Sequence, residues 1–82
     1  MLEELQYNST ISNNHMSNQE LSKNLKKLRD KKGFSQDRLA KLADVANNTV
    51  IKIEQGENKN PTLETLKKLA NALGVSLDDL IK

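Results

Sequence analysis

Apolar residues recur along this chain at the three- and four-residue spacing of helices, and the first clean run begins at Leu21. Leu21, Leu25 and Leu28 make one stripe, opened by Ser17 with Glu20, a capping-box pair in which each side chain serves the other residue's backbone. Gly33, following Lys31 and Lys32, predicts the stop of that helix, with cations set against the negative end of its dipole. Ser35 is the predicted cap of a second helix, with Asp37 in its first turn and Leu39, Ala40, Leu42 and Ala43 as its apolar side. A third helix, from about Ala46 to Gln55, stops at Gly56, and a polar loop runs from Glu57 to Pro61. Thr62 caps a fourth, striped by Leu63, Leu66, Leu69, Ala70 and Leu73 and stopped by Gly74. Ser76 and Asp79 repeat the capping-box pattern for a last helix carrying Leu77, Leu80 and Ile81. The predicted fold class is therefore all-α, a compact bundle of five short helices.

The texture before Ser17 is different. From Asn8 to Gln19 the chain is rich in Asn, Ser and Thr, with no apolar period, and such a stretch cannot bury enough surface to offset the entropy of ordering it. Residues 1–16 are accordingly read as a flexible polar N-terminal arm and residues 17–82 as the folded domain. Within the arm, residues 2–7 (LEELQY) suit a single helical turn, and Met16 suits an internal start or a cloning junction.

Composition narrows the class further. The 82 residues include no cysteine and one histidine, His15, so neither disulfides nor a Cys/His zinc site can stabilise so small a domain. No apolar run reaches the roughly 18 residues of a membrane span, and the N-terminus lacks the shape of a signal peptide. With the absence of cysteine, this gives the expectation of a cytoplasmic protein with no membrane partner. Aromatic residues are limited to Tyr7 and Phe34, which leaves the core to aliphatic side chains. No nucleophile–base set or phosphate-cradling glycine loop is present, and Asp78 and Asp79 sit in a first helical turn where acids complement the dipole. The expectation is a non-enzyme without metal or cofactor.

Charge is uneven. Residues 1–19 carry two acids and no base, whereas residues 20–82 carry all 13 basic residues against nine acids. Six of the bases crowd into residues 23–32 (Lys23, Lys26, Lys27, Arg29, Lys31, Lys32). Such a run reads first as a solvated helix face and second as long-range attraction to a polyanion. The acidic arm has no Arg or Lys with which to enter a minor groove.

Helices two and three are separated by only about three residues centred on Asp44 and Val45, which forces the sharp angle of a helix-turn-helix. Close crossing needs a small side chain, and Ala40 stands where it would face helix three. On a helical wheel Thr49, Val50 and Ile53 cluster on one side, and Asn47, Asn48, Ile51, Lys52 and Gln55 on the other. The first group reads as core. The second reads either as an ordinary polar exterior or as a set of base-reading groups, since Asn can pair with adenine N6/N7, Lys with guanine O6/N7, and an aliphatic group with the thymine methyl.

These residues carry a resemblance. The stretches LKKLRDKKGFSQDRLA and NNTVIKIEQGENKNPTLETLKKLANALGVSLDDL, with SQ-x2-LA, I-E-x-G, NP-T-LETL and ALGVSLDDL in order, resemble the Xre family of phage-repressor-like (lambda-repressor-like) DNA-binding domains. The likeness covers about Leu21 to Ile81. It implies that Asn47, Asn48 and Lys52 reach base edges, with Ile51 beside them. It implies that Gln36, Gln55, Lys59 and Asn60 lie at phosphates, and that Arg29 and Glu54 form an internal ion pair. Three positions depart from the family pattern: Asp44 replaces the glycine of the turn, Ala46 replaces a Ser/Thr cap, and Ile51 replaces a small or polar residue.

The reading is a sequence-specific transcriptional regulator, a repressor, placing helix three in the major groove of double-stranded DNA. A single small module reads few base pairs, so the expectation is a homodimer on a pseudo-palindromic operator with half-sites about 34 Å apart. Val75, Leu80 or Ile81 near the C-terminal helix are the expected dimer surface. Two rivals stay open: an antitoxin with the same DNA-binding fold that also holds a small toxin protein through the arm or Ile51, and a protein-interaction module that has lost DNA binding.

Overall fold

A computed structural model describes residues 13–58 and 60–82, with side chains described from Glu20 onward. Among the described residues five helices follow in order: α1 (Asn13–Lys32), α2 (Gln36–Ala43), α3 (Asn47–Glu54), α4 (Leu63–Leu73) and α5 (Leu77–Ile81). There is no strand among the described residues. None of these helices is long and apolar enough to cross a membrane.

Local chemistry explains most boundaries. The hydroxyls of Ser35, Thr62 and Ser76 accept hydrogen bonds from the backbone N–H groups of Arg38, Thr65 and Asp79 at the starts of α2, α4 and α5. At α5 the box is reciprocal, with the Ser76 N–H donating to Asp79 Oδ2 at 3.4 Å. The helix ends share a second device. After α1, the Gly33 N–H donates to the Asp30 carbonyl (2.9 Å) and the Phe34 N–H to that of Arg29 (3.1 Å). This Schellman closure recurs at Asp44/Val45 after α2 and at Gly74/Val75 after α4. In each case the residue after the left-handed position is apolar (Phe34, Val45, Val75) and packs against the core. Each turn thus folds a side chain inward as it reverses the chain.

The core is aliphatic. Leu21 and Leu25 of α1 meet Leu39, Ala40 and Ala43 of α2, Val50 and Ile53 of α3, Leu69, Ala70 and Leu73 of α4, and Leu80 of α5. Ala40 is buried beside the short turn, as close helix crossing demands. The Asn24 amide donates to the Leu80 carbonyl at 3.1 Å and fastens the last helix to the first.

Three expectations need correction. First, α1 starts at Asn13, so Ser17 lies inside the helix rather than at its N-cap, and 13–16 of the supposed arm are helical. No glycine or proline interrupts residues 13–20, and a cap worth only about 1 kcal/mol does not by itself end the preceding helix. Second, Leu42, Leu63 and Ile81, assigned to apolar stripes, are 47%, 57% and 40% exposed. Third, Leu80 is fully buried and is not available as a dimer surface. The proposed helical turn at residues 2–7 and the role of Met16 in chain initiation lie outside what the structure describes.

Candidate nucleic-acid interface

The site is built on α3, whose inner side is fixed by Val50 and Ile53, 0% and 1% exposed, with Thr49 half-buried beside them. This anchoring turns the opposite side outward. Asn47, Asn48, Lys52 and Gln55 are exposed, and Ile51 is half-buried among them. Lys52 forms no ion pair with any described residue. The helix begins unaided: Ala46 is extended (φ −67°, ψ 143°) and no side chain caps the first turn, so neither Asp44 nor Asn47 substitutes for the missing hydroxyl. The turn before it is closed by Asp44 at φ 59°, the left-handed conformation the family's glycine would take.

A buried polar cluster holds α1, α2 and α3 together. Arg29 Nε donates to Glu54 Oε2 at 2.6 Å and Nη2 to Oε1 at 3.1 Å, a two-pronged pair, while Nη1 donates to the Phe34 carbonyl at 2.7 Å. The side chains are 11% and 4% exposed, so the pair is largely out of water. The hydrogen bond to Glu54 raises the pKa of the Arg29 guanidinium above its ordinary value despite the opposing cost of burial. Gln36 Nε2 also donates to Glu54 Oε1, at 3.0 Å, and the Ser22 hydroxyl donates to the Glu54 carbonyl. One carboxylate therefore binds an arginine of α1 and the first residue of α2 from the last turn of α3.

The basic run on α1 divides accordingly. Lys23, Lys26, Lys27, Lys31 and Lys32 are exposed, whereas Arg29 turns inward. Of the residues expected at phosphates, Gln36 is half-buried with one amide hydrogen engaged by Glu54, and Gln55 is exposed at the C-cap of α3. Asn60 is exposed, its N–H donating to Asn58 Oδ1 at 3.2 Å. Lys59 lies outside the described residues. Sequence reasoning did not find the Gln36–Glu54, Ser22–Glu54 or Asn24–Leu80 bonds. Each joins residues 18 to 56 positions apart, and no local pattern encodes such a link.

The sharp three-residue turn, the crossing of α2 and α3 and the anchored outer helix together define a helix-turn-helix, and the family model of that description, HTH_3, matches residues 25–80. The chain belongs to the HTH_3 family. It is similar to the SPbeta prophage-derived uncharacterized HTH-type transcriptional regulator YonR of Bacillus subtilis, at 47% identity over 58 residues, which are 71% of this chain and 53% of that protein. The chain thus spans about half the length of that curated relative. Among solved structures it resembles the restriction-modification controller protein C.AhdI from Aeromonas hydrophila (34% identity, TM-score 0.71, 74% of this chain and 91% of that one). It also resembles an HTH_3 family transcriptional regulator from Vibrio cholerae (34% identity, TM-score 0.75, 82% of this chain and 37% of that one). The similarity to a hypothetical transcription factor, NHTF, from Neisseria covers 92% of this chain and 85% of that one, with TM-score 0.78 at 27% identity. Within this HTH_3 domain, α2 and α3 are the helix pair that gives the family its description.

Proposed function

We propose that this chain is a sequence-specific DNA-binding transcriptional regulator, a repressor, that sets α3 in the major groove. The observation that carries the reading is the split of α3: Val50 and Ile53 are sealed inside while Asn47, Asn48 and Lys52 stand exposed on the other side. Those are the side-chain types that form paired hydrogen bonds with adenine and guanine edges. In this reading Ile51 rests on a thymine methyl, and Gln36, Gln55, Lys59 and Asn60 hold flanking phosphates. The second amide hydrogen of Gln36 serves that purpose while the first stays on Glu54. Arg29 and Glu54 act as structural groups and do not meet DNA. Relatives described as transcriptional regulators support the assignment, which is one of binding and not of catalysis. A regulator of this kind would work in the cytoplasm.

The protein acts as a homodimer on a two-fold operator, because one short helix reads few base pairs. With Leu80 buried, the surface left for the partner copy is Ile81 with the half-buried Val75. The half-exposed Ile51 on the reading face is the feature that favours a second reading, an antitoxin that also grips a small toxin. Co-purification of such a protein would support it. Selection of bound duplexes from a random pool tests the main reading. A recovered two-fold motif with half-sites about one helical turn apart is the expected result, and recovery of no motif overturns it.

A further inference from the structure

Away from α3, the last turn of α1 and the loop between α4 and α5 enclose an open groove of about 400 Å³ lined by Leu28, Lys31, Lys32, Leu73, Gly74 and Val75. Its floor is apolar, and Leu28 and Val75 are only partly covered by the core they pack against. Its rim is cationic: Lys31 and Lys32 are exposed and form no ion pair with a described residue. Gly74 lies against this rim, where a Cβ would meet Lys32 Nζ at an ordinary contact distance of 3.7 Å. The groove therefore asks for a short segment that offers leucines between carboxylates.

The chain contains such a segment. Residues 1–7 read MLEELQY, with Glu3 and Glu4 flanked by Leu2 and Leu5, in a region that has no basic residue up to position 19. We propose that this segment docks in the groove of its own chain, Leu5 against Leu28, Glu3 and Glu4 against Lys31 and Lys32, and Leu2 at the Gly74 end.

The lengths agree with that register. Along α1, Leu28 stands about 22 Å and Lys31 about 27 Å from Asn13 at 1.5 Å per residue. The eight residues from Asn13 back to Leu5 span up to about 29 Å, and the eleven back to Leu2 up to about 40 Å. A chain returning beside α1 thus brings Leu5 to the near end of the groove and Leu2 to the far end, with the two glutamates between them at the lysines. The short tether favours the segment of the same molecule over that of another copy.

Because the protein has no cysteine, disulfide trapping tests the docking in the full chain without DNA, so its outcome is independent of the proposed function. Gln6→Cys is paired with Lys27→Cys beside the groove, and as a control with Lys67→Cys on α4. The expected result is a cross-link within single chains that forms about tenfold faster than the control, as local concentration dictates. Adding Lys31→Glu and Lys32→Glu should abolish the advantage, and further adding Glu3→Lys and Glu4→Lys should restore it, with helicity by circular dichroism confirming that each variant is folded. Equal rates for the two pairs, cross-links mainly between chains, or indifference to the charge reversals overturns the proposal.

Discussion

Asp44 is the one described residue other than glycine with a positive φ. An L-residue in that conformation is strained, though aspartate less than most. Asp44→Gly should therefore raise stability by up to about 1 kcal/mol, offset in part by the added freedom of the unfolded chain, and urea titration checks it. Ala46→Ser supplies the missing cap of α3 and should add about 1 kcal/mol in the same assay. The Arg29–Glu54 pair works in the opposite direction. Glu54→Ala leaves a guanidinium and the Gln36 amide without their shared acceptor, at a cost of roughly 3–5 kcal/mol. A domain of this size holds only about 4–12 kcal/mol, so the loss is a large share of the total and should appear as a much lower urea midpoint. At the reading face the expectations concern affinity. Asn47→Ala and Asn48→Ala should each cost about 1–3 kcal/mol on the selected site and relax its sequence, whereas Lys59→Ala should weaken every duplex alike and lower the salt slope by about one. Titrations on selected and scrambled duplexes at several salt concentrations separate the two. The outward positions of Asn47, Asn48 and Lys52 were legible in the sequence, because a helix with two anchored residues has only one remaining side.

At the scale of elements, the stops of α1, α3 and α4 were legible because each rests on a strong local rule, a left-handed glycine just past the helix end. The starts of α2, α4 and α5 were legible from the capping hydroxyls of Ser35, Thr62 and Ser76. The start of α1 was not, since Ser17 and Glu20 satisfy a capping pattern that the backbone passes straight through. The stripes were legible only in their middles. Around α2, Leu39, Ala40 and Ala43 span about 100°, and Leu42 falls about 60° outside them. It is exposed for that reason. Leu63 occupies the first turn of α4, at the rim of the core, where the period continues but the neighbours have ended. The position of Leu80 has a consequence for the last helix. Leu80→Ala should lower stability by about 2–5 kcal/mol, a loss seen in thermal unfolding of the protein alone.

For the molecule as a whole, the proposed pairing of two copies through Ile81 and Val75 can be separated from folding by a polar substitution there. Ile81→Asp should keep the melting temperature within a few degrees, because the side chain is 40% exposed and such surface changes usually stay within about 0.5 kcal/mol. It should weaken binding to a two-fold duplex while leaving binding to an isolated half-site unchanged, which gel-shift titration of the two duplexes resolves. The all-α architecture was legible from periodicity, and the ties that lock it were not, because they cross between distant parts of the chain.

The carboxylate shared by Arg29 and Gln36 also bears on the thermodynamics of recognition. In the proposed complex it clamps the two crossing helices into one stiff body before the duplex arrives, so α2 and α3 need little ordering at docking. Calorimetry should accordingly find a heat-capacity change no larger than the interface area accounts for, with no contribution from folding coupled to association.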